Sequence, residues 1–238
     1  MAAYDTMDYS HLLKGKKALL VNCELEIEEA VSTLFASQGA QVSTVHNLNA
    51  FDEKQTADII VCSMDRPEGV LFHQQATDAV SENVFKNVQM LERAVHSSID
   101  YMMEQCCGNI IAILSEYGSY SVPMRSIEGC SALAMNGLIC ALAMDYCKYN
   151  IRSNCIQISF QLGTIGKQQM EQQNISPEDA LDLQLLRRPP MAEDVAKTAL
   201  FLASDMSAFI SGETIPVNGG GFNIGHNQTW DRWLNHVI

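Results

Sequence analysis

Two side chains suited to acid–base chemistry lie thirteen residues apart in the middle of the chain, at Ser115 and Glu128. Ser115 ends a short apolar run typical of a buried strand, and Glu128 directly precedes a long apolar stretch typical of a helix. A partly buried carboxyl can have its pKa raised toward neutrality, so Glu128 could act as a general base beside the Ser115 hydroxyl. The pair therefore predicts one possible chemistry, that of a lyase or isomerase without a cofactor.

A second group of charged residues follows the first apolar strand, at Glu24, Glu26, Glu28 and Glu29. Acidic side chains in the first turn of a helix are each stabilised by about 0.3–1 kcal/mol, which is one interpretation of the group. The other is that a carboxylate occupies the anion-binding position that a helix N-terminus provides. The two interpretations are compatible.

The elements that must position these residues alternate between strand-length apolar runs and longer helical patterns. The predicted strands are 17–21, 41–45, 58–62, 109–114, 152–158 and 214–217, and the predicted helices lie near 26–38, 79–106, 129–149, 177–183 and 192–204. This alternation indicates βαβ units and a parallel sheet covered on both faces. Right-handed crossovers then predict a single α/β domain over 1–238 with a doubly wound, Rossmann-like sheet.

The composition limits partners and compartment. With 15 basic and 28 acidic residues the net charge is −13, which argues against nucleic acid or an anionic membrane as a partner. No apolar run of about 18 residues is apparent and residues 1–13 carry no Lys or Arg, so neither a membrane span nor a signal peptide is expected. The eight cysteines form no Cys-x-x-Cys pair, so we expect small buried thiols in a reducing cytoplasm, without disulfide or metal.

Several collinear segments resemble the short-chain dehydrogenase/reductase family. The clearest are RPPMAEDVA at 188–196, FLASD at 201–205 and ISGETIPVNGG at 210–220, which resemble the closing helix and strand of that family. LKGKKALLV at 13–21 resembles its opening strand, and IRSNCI at 151–156 resembles the strand after its catalytic helix. The resemblance covers about 13–221 and implies the fold. Because fold does not imply function, the site has to be compared separately.

The cofactor side departs from the family pattern. The family's phosphate-binding turn carries three glycines, whose positions are held here by Asn22, Glu26 and Glu28. All three gain a side chain and two gain a charge, and two like charges about 4 Å apart near a surface repel by roughly 4 kcal/mol. The comparison therefore implies that no dinucleotide is bound by this chain.

The connection after the second strand is also short. Only residues 46–57 separate it from the third, which suffices for a crossover of about 10–12 residues but not for the extra strand and flanking helices that hold the adenine in the family. The strand that ends Asn-Asn-Ala-Gly in the family here ends Cys-Ser-Met-Asp at 62–65. About six strands are expected, with one strand missing after the second.

The catalytic side has lost its proton-transfer pair. The family uses Asn, Ser, Tyr and Lys, and a phenol near pKa 10 needs the Lys to act near neutral pH. The corresponding positions here are Asn87, Ser115, Glu128 and Ala132. Neither Tyr117 nor Tyr120 has a Lys or Arg four residues later, and the family's Pro-Gly after the next strand is Ile-Ser at 158–159. Four parts of the site thus depart from the pattern, which we interpret as four independent losses.

The surfaces used for assembly in the family remain intact. The helix at 130–145 is apolar on nearly every face, so we expect one face on the sheet and another on a partner, unless the helix is simply buried. The interface candidates are Leu133 and the small residues Ala134, Gly137 and Ala141. In the tail at 222–238, Trp230 and Trp233 are further candidates, with packing on the chain's own core as the alternative.

Three functions follow as hypotheses. The first is a non-catalytic subunit of a heterotetrameric dehydrogenase whose active sister subunit binds NAD, similar in kind to the 2-[hydroxy(phenyl)methyl]succinyl-CoA dehydrogenase. The second is the cofactor-free lyase or isomerase, and the third a ligand-binding or sensor module.

Overall fold

The computed structural model describes residues 10–51, 55–159, 162–172, 174–182 and 184–221, without the side chain of Asn49. Its sheet has six parallel strands in the order β2-β1-β3-β4-β5-β6. These strands are β1 (Lys17–Val21), β2 (Gln41–Val45), β3 (Ile59–Ser63), β4 (Gly108–Ser115), β5 (Ile151–Ile158) and β6 (Thr214–Val217). The predicted doubly wound, Rossmann-like sheet is confirmed.

Six α-helices cover the sheet within these residues. They are α1 (Leu25–Ser37), α2 (Ala79–Gln105), α3 (Ser126–Tyr146), α4 (Gly163–Gln172), α5 (Pro177–Asp182) and α6 (Ala192–Ala203). α4 is not predicted by the sequence pattern, because it has few apolar residues and two glycines, each of which disfavours a helix by about 1 kcal/mol. A tertiary contact described below holds the first turn of α4 in place.

The side chains of the central strands alternate between two cores. Leu19 and Val21 of β1 pack on the face covered by α2 and α3, whereas Ala18 and Leu20 pack on the face covered by α1 and α6. Since both faces are buried, these strands read as continuous apolar runs, as parallel strands do.

β2 lies at an edge of the sheet. The described residues between β2 and β3 form one short 3-10 turn, Leu48–Ala50, and add no strand beyond that edge. Leu48 and Phe51 pack on the α2 side of the sheet, and the Leu48 carbonyl accepts a hydrogen bond from Arg93 at 2.9 Å. The described part of this short crossover thus packs against one face of the sheet.

α3 corrects the expectation that no apolar run of the chain is long enough to span a membrane. With the 3-10 turn that follows it, Ser126–Tyr149 is long and apolar enough, by length and composition alone, to cross a membrane. A core helix of a folded protein can pass the same test, and α3 buries one face, including Met135, Ile139 and Leu142, in the core it shares with α2. α3 is therefore apolar on two sides, of which one packs in the core and the other is exposed.

The cysteines correct the expectation that the thiols are buried. All eight are free thiols, but only Cys23, Cys62 and Cys155 are buried. Burial raises the pKa of each of these three thiols, so they behave as small apolar side chains. Four of the others, Cys106, Cys130, Cys140 and Cys147, are exposed at or near helix ends and on α3.

A buried arginine in β5 closes the carboxyl end of α6. The Arg152 guanidinium donates to the Leu202 and Ser204 carbonyls at 2.8 and 3.0 Å and to the Ser207 hydroxyl at 2.8 Å. The last carbonyls of a helix have no partner within the helix and carry a partial negative charge, which a cation offsets. Arg152 therefore attaches α6 to the edge of the sheet beside β6.

Arg152→Met should lower the free energy of unfolding by about 3 kcal/mol, because it removes three buried hydrogen bonds donated by a cation and leaves the two carbonyls with only their bonds from Ser207. The matched control is Arg187→Met, which breaks the exposed ion pair with Asp182 and should change stability by less than about 0.5 kcal/mol. Urea unfolding followed by circular dichroism measures both. Equal effects of the two substitutions would contradict the role given to Arg152.

Candidate functional site

The candidate site lies where the strand order reverses, at the carboxyl ends of β1 and β3. β1 lies between β2 and β3, so the connections that follow β1 and β3 leave toward opposite faces and open a crevice between them. The loop after β5 reaches the same end of the sheet, because its strand is parallel to the others. Three connections, which include residues 22–24, 64–71 and 162–163, therefore meet at this crevice.

Asn22 bridges the first two of these loops. Its backbone has φ of 53°, a left-handed conformation that asparagine tolerates better than most residues and that glycine adopts freely. Its side-chain amide donates to the Ser63 carbonyl at 3.1 Å and to the Asp65 carboxylate at 2.8 Å. Asn22 thus keeps the backbone turn of a glycine while its side chain crosses the crevice.

Glu24 and Arg66 form a bidentate ion pair in the same crevice. Nε of Arg66 lies 2.5 Å from Oε1 of Glu24, and a terminal guanidinium nitrogen lies 2.6 Å from Oε2. That nitrogen also donates to the Leu162 carbonyl at 2.8 Å. The Arg66 side chain is buried, and such paired geometry is the strong form of a charged hydrogen bond. The ion pair therefore ties the loop after β1 to the loops after β3 and β5.

Glu26 binds the first turn of α4. One carboxylate oxygen accepts the Thr164 backbone N–H at 2.9 Å and the other accepts the Thr164 hydroxyl at 2.6 Å. Gly163, at φ of 70°, allows this approach, since a Cβ there would overlap the Glu26 carboxylate. The hydrogen bonds from Thr164 hold the pKa of Glu26 below its usual range. A side-chain carboxylate of α1 is thus the anion at this helix N-terminus. We call Glu24, Glu26, Arg66 and Thr164 the carboxylate clasp.

Glu28 does not belong to the clasp, which corrects the expectation that it repels Glu26 in one anion site. Its carboxylate lies 3.2 Å from the His46 imidazole, just after β2. Residues two apart on a helix point to nearly opposite sides, so Glu26 faces α4 and Glu28 faces β2. The negative charge in the crevice therefore comes from Glu24, Glu26 and Asp65.

The clasp bears directly on whether a dinucleotide fits. A pyrophosphate at such a turn needs N–H donors and close access to the backbone. Here the donors of Arg66 and Thr164 already bind carboxylates, and Asn22 and Glu26 carry side chains where the family's turn has glycine. The residues present therefore do not fit a dinucleotide pyrophosphate.

Asn87 serves the loop after β3. Its side-chain carbonyl accepts the Asp65 backbone N–H at 2.8 Å, and its amide donates to Asn83 one turn earlier. The Asp65 carboxylate in turn pairs with Lys86 and Asn22. Asn87 is buried, and its contacts position the loop backbone.

Ser115 and Glu128 are brought together, but both are only 1% exposed. The Ser115 hydroxyl accepts the Tyr117 backbone N–H at 3.2 Å, and Glu128 pairs with Arg125, three residues earlier, at 3.5 Å. Burial raises the pKa of Glu128, while Arg125 and the Ser115 hydroxyl oppose that shift. One oxygen of Glu128 and two guanidinium nitrogens of Arg125 have no hydrogen-bond partner among the described atoms. The cluster is a closed, partly unsatisfied polar site.

The fourth position, Ala132, is filled by packing. Ala132 is buried against the turn that follows β4, and a Cβ on Gly118 would lie 2.9 Å from the Ala132 Cβ. A lysine at this position would have to displace that turn. Tyr117 and Tyr120 pack edge to face in the same region, and burial raises the pKa of both phenols. Neither phenol is activated toward proton transfer near neutral pH.

The sequence analysis missed the cationic half of this site. Arg66 and Arg125 were not singled out, although Arg66 directly follows Asp65 at the end of a predicted strand and Arg125 stands three residues before Glu128. Thr164 was missed together with α4. Charge complementarity could have identified the arginines, because a carboxylate without an assigned role needs a cation close to it.

Glu26→Gln should remove a pH-dependent part of the stability. Because the folded pKa of Glu26 is below its unfolded value of about 4.3, the carboxylate contributes stability that is present above that value and is lost as pH falls through the folded pKa. The melting temperature of the parent should therefore exceed that of the variant at pH 7, and the gap should close in acid. Glu29→Gln, on the exposed side of α1, is the control. A gap that is equally large at pH 3 would show that the charge of Glu26 does not hold α4.

Comparison with known proteins agrees with this architecture. A family model described as enoyl-(acyl carrier protein) reductase matches residues 14–222. Dehydrogenase/reductase SDR family member 6 of Xenopus laevis is 28% identical over 240 residues, covering 87% of this chain and 98% of its own length. The 3-oxoacyl-[acyl-carrier-protein] reductase FabG of Chlamydia trachomatis is 28% identical over 210 residues, covering 81% and 82%.

A solved structure agrees at the level of the fold. It is an oxidoreductase of the short-chain dehydrogenase/reductase family from Burkholderia thailandensis, which superposes with a TM-score of 0.79 over 92% of this chain and 97% of its own, at 17% identity. The family match extends from just before β1 to just after β6, so the chain belongs to the short-chain dehydrogenase/reductase superfamily.

Proposed function

We propose that this chain is a non-catalytic subunit of a hetero-oligomeric, NAD-dependent short-chain dehydrogenase. The observation that carries the proposal is the carboxylate clasp, in which Glu24 and Glu26 take the positions and the donors that a dinucleotide pyrophosphate would need. On this proposal the chain binds no cofactor, and an active sister subunit binds NAD.

The catalytic side supports the same conclusion. Proton transfer in this superfamily uses a tyrosine with a lysine four residues later, and those positions are Glu128 and Ala132. Glu128 is buried in an ion pair with Arg125, and Ala132 is packed under a turn. Neither arrangement supplies a phenol with a lowered pKa, so we infer that the chain performs no hydride-linked proton transfer.

One face of α3 supports assembly. Most of its exposed residues follow one another at helical spacing and are apolar or small; they are Cys130, Leu133, Gly137, Cys140, Ala141 and Met144, with Ala134 half-buried beside them and the charged Asp145 at the end of the row. Leu133 is 58% and Met144 77% exposed, and a Cβ on Gly137 would meet nothing within 4 Å. We call this face the α3 stripe. An apolar stripe with small residues at its centre suits close packing against another helix.

An active member of the same superfamily is the partner whose chemistry fits. The relatives found by comparison are named as dehydrogenases and reductases, and such a subunit would offer a helix in the position of α3. We propose a heterotetramer in a reducing cytoplasm, in line with eight free thiols. Among known assemblies, 2-[hydroxy(phenyl)methyl]succinyl-CoA dehydrogenase is similar in kind, and a hydroxyacyl-CoA substrate would follow from that likeness.

Dinucleotide binding tests the first half of the proposal. Isothermal titration of the purified chain with NAD⁺, NADH, NADP⁺ and NADPH should give no saturable heat at dinucleotide concentrations up to about 1 mM. Any binding would then have a free energy weaker than about −4 kcal/mol. The co-purified sister subunit is the positive control in the same buffer. Saturable binding of any of the four to the isolated chain would overturn the proposal and would favour a ligand-binding or sensor module.

Assembly tests the second half. The tagged chain purified from its native cells should carry a second short-chain dehydrogenase at fixed stoichiometry, and Leu133→Lys or Gly137→Lys should abolish that recovery because each places a charge in the α3 stripe. Leu25→Lys, an equally exposed leucine outside α3, is the matched control and should leave recovery unchanged. Native mass spectrometry gives the composition. A homo-oligomer without a partner would contradict the subunit role.

The second candidate is a cofactor-free lyase or isomerase that uses Ser115 and Glu128. The observation in its favour is the raised pKa of Glu128 beside unpartnered nitrogens of Arg125, since such a carboxyl is suited to general base catalysis. Burial of both side chains weighs against it. The test applies to any substrate that the chain is found to turn over. Loss of that activity in Glu128→Gln, with native assembly retained, supports this candidate. Full activity of Glu128→Gln excludes it.

A further inference from the structure

A wide groove among the described residues lies on the face of the sheet covered by α1 and α6, and one end of it adjoins Glu26 of the carboxylate clasp. It has a volume of about 1080 Å³ and runs between α1, α4, α5 and the start of α6. Its walls are mainly apolar, with Leu34 on α1, Met170 on α4, Leu181 on α5 and Met191 just before α6. Small-molecule pockets usually enclose about 300–1,000 Å³, so the groove is wide enough for a peptide segment.

The end of the described chain packs on the connection from α5 to α6, and the later part of that connection lines the groove. Gly219 and Gly220 pack on Gln184 and Leu185, and the Leu186 N–H donates to the Gly219 carbonyl at 3.1 Å. The stretch that begins at Gln184 continues into Pro189, Pro190 and Met191, which line the groove. The chain therefore leaves its last described residue, Gly221, beside the wall formed by the connection from α5 to α6.

The 17 residues at 222–238 have a sequence that suits this groove. Apolar residues recur at helical spacing at Trp230, Trp233, Leu234, Val237 and Ile238, the i, i+3, i+4, i+7, i+8 pattern of a one-sided apolar helix. The eight residues before Trp230 span up to about 29 Å when extended, at about 3.3–3.6 Å per residue. Such a helix needs an apolar surface to cover its stripe, and a surface of that kind lies within reach.

We infer that residues 222–238 dock within the same chain, with the stripe from Trp230 to Ile238 in the groove between α1, α4, α5 and α6. Attachment through so short a connection gives the segment an effective concentration of the order of millimolar, which favours the same chain over a second copy. The groove and the α3 stripe lie on opposite faces of the sheet, so docking leaves the α3 stripe free. The inference does not depend on the proposed function.

The test uses a property of the composition. Trp230 and Trp233 are the two tryptophans of the chain, so tryptophan fluorescence of the full chain reports on this segment alone. Docking predicts an emission maximum shifted well to the blue of free tryptophan and acrylamide quenching several-fold weaker than that of a free peptide of residues 222–238. Both values should be independent of protein concentration across a 100-fold range, with the subunit state followed by light scattering.

Variants locate the docking site. Met191→Lys and Thr33→Lys place a charge on exposed parts of the groove wall and should shift the emission to the red and restore quenching. Met144→Lys is the control, because it places the same charge on the α3 stripe and should leave both values unchanged. Circular dichroism establishes that each variant is folded.

Three outcomes would overturn the inference. Solvent-like emission from the parent chain would mean that the segment is not docked. A blue shift that disappears on dilution, or in Met144→Lys, would place the tryptophans against a second subunit. A blue shift that persists in both groove variants would place them elsewhere on the chain.

Discussion

The ion pair between Glu24 and Arg66 is the interaction on which the arrangement of this end of the molecule depends. A buried guanidinium is costly unless it is paired and its donors are used, because desolvation of the charge can exceed the Coulomb attraction regained. Arg66 meets this condition with both oxygens of Glu24 and with the Leu162 carbonyl. Three loops from three different strands are therefore held together, since separation of the first two breaks the buried ion pair and separation of the third removes a buried acceptor from Arg66.

This constraint changes how the departures from the family pattern are understood. The sequence suggested independent losses in the glycine-rich turn and in the loop after β3. In the structure these losses are coupled, because Asn22 binds Asp65 and Glu24 binds Arg66 across the same crevice. A glycine at position 22 alone would remove one donor from the Asp65 carboxylate, and a glycine at position 26 alone would remove the acceptor of the Thr164 N–H and hydroxyl. Internal charges hold the crevice together, and phosphate binding there would require several simultaneous changes.

The fold could be predicted from the sequence because each central strand is a continuous apolar run that can be recognised locally. Continuous apolar runs predicted β1, β4 and β5 to within a residue or two, and the short stretch after β2 implied the missing strand. α4 could not be predicted in this way, because its local sequence is a poor helix former and a tertiary contact from Glu26 to Thr164 holds it. For the same reason, sequence comparison identified which positions had changed but missed Arg66 and Arg125, whose roles arise from contacts between distant segments.

The same clasp separates the two kinds of surface on the molecule. By tying the start of α4 to α1, it places α4 and α5 beside α1 and α6 and so creates the apolar groove on that face. The opposite face keeps α2 and α3 in the arrangement that the superfamily match implies, with the α3 stripe exposed. The Glu26 carboxylate thus fills the anion position at α4 and shapes the apolar groove. The arrangement on the opposite face of the single-layered sheet is not affected. On the proposed function, loss of phosphate binding and retention of an assembly surface are therefore compatible in a single domain, since the clasp and the α3 stripe lie in different layers.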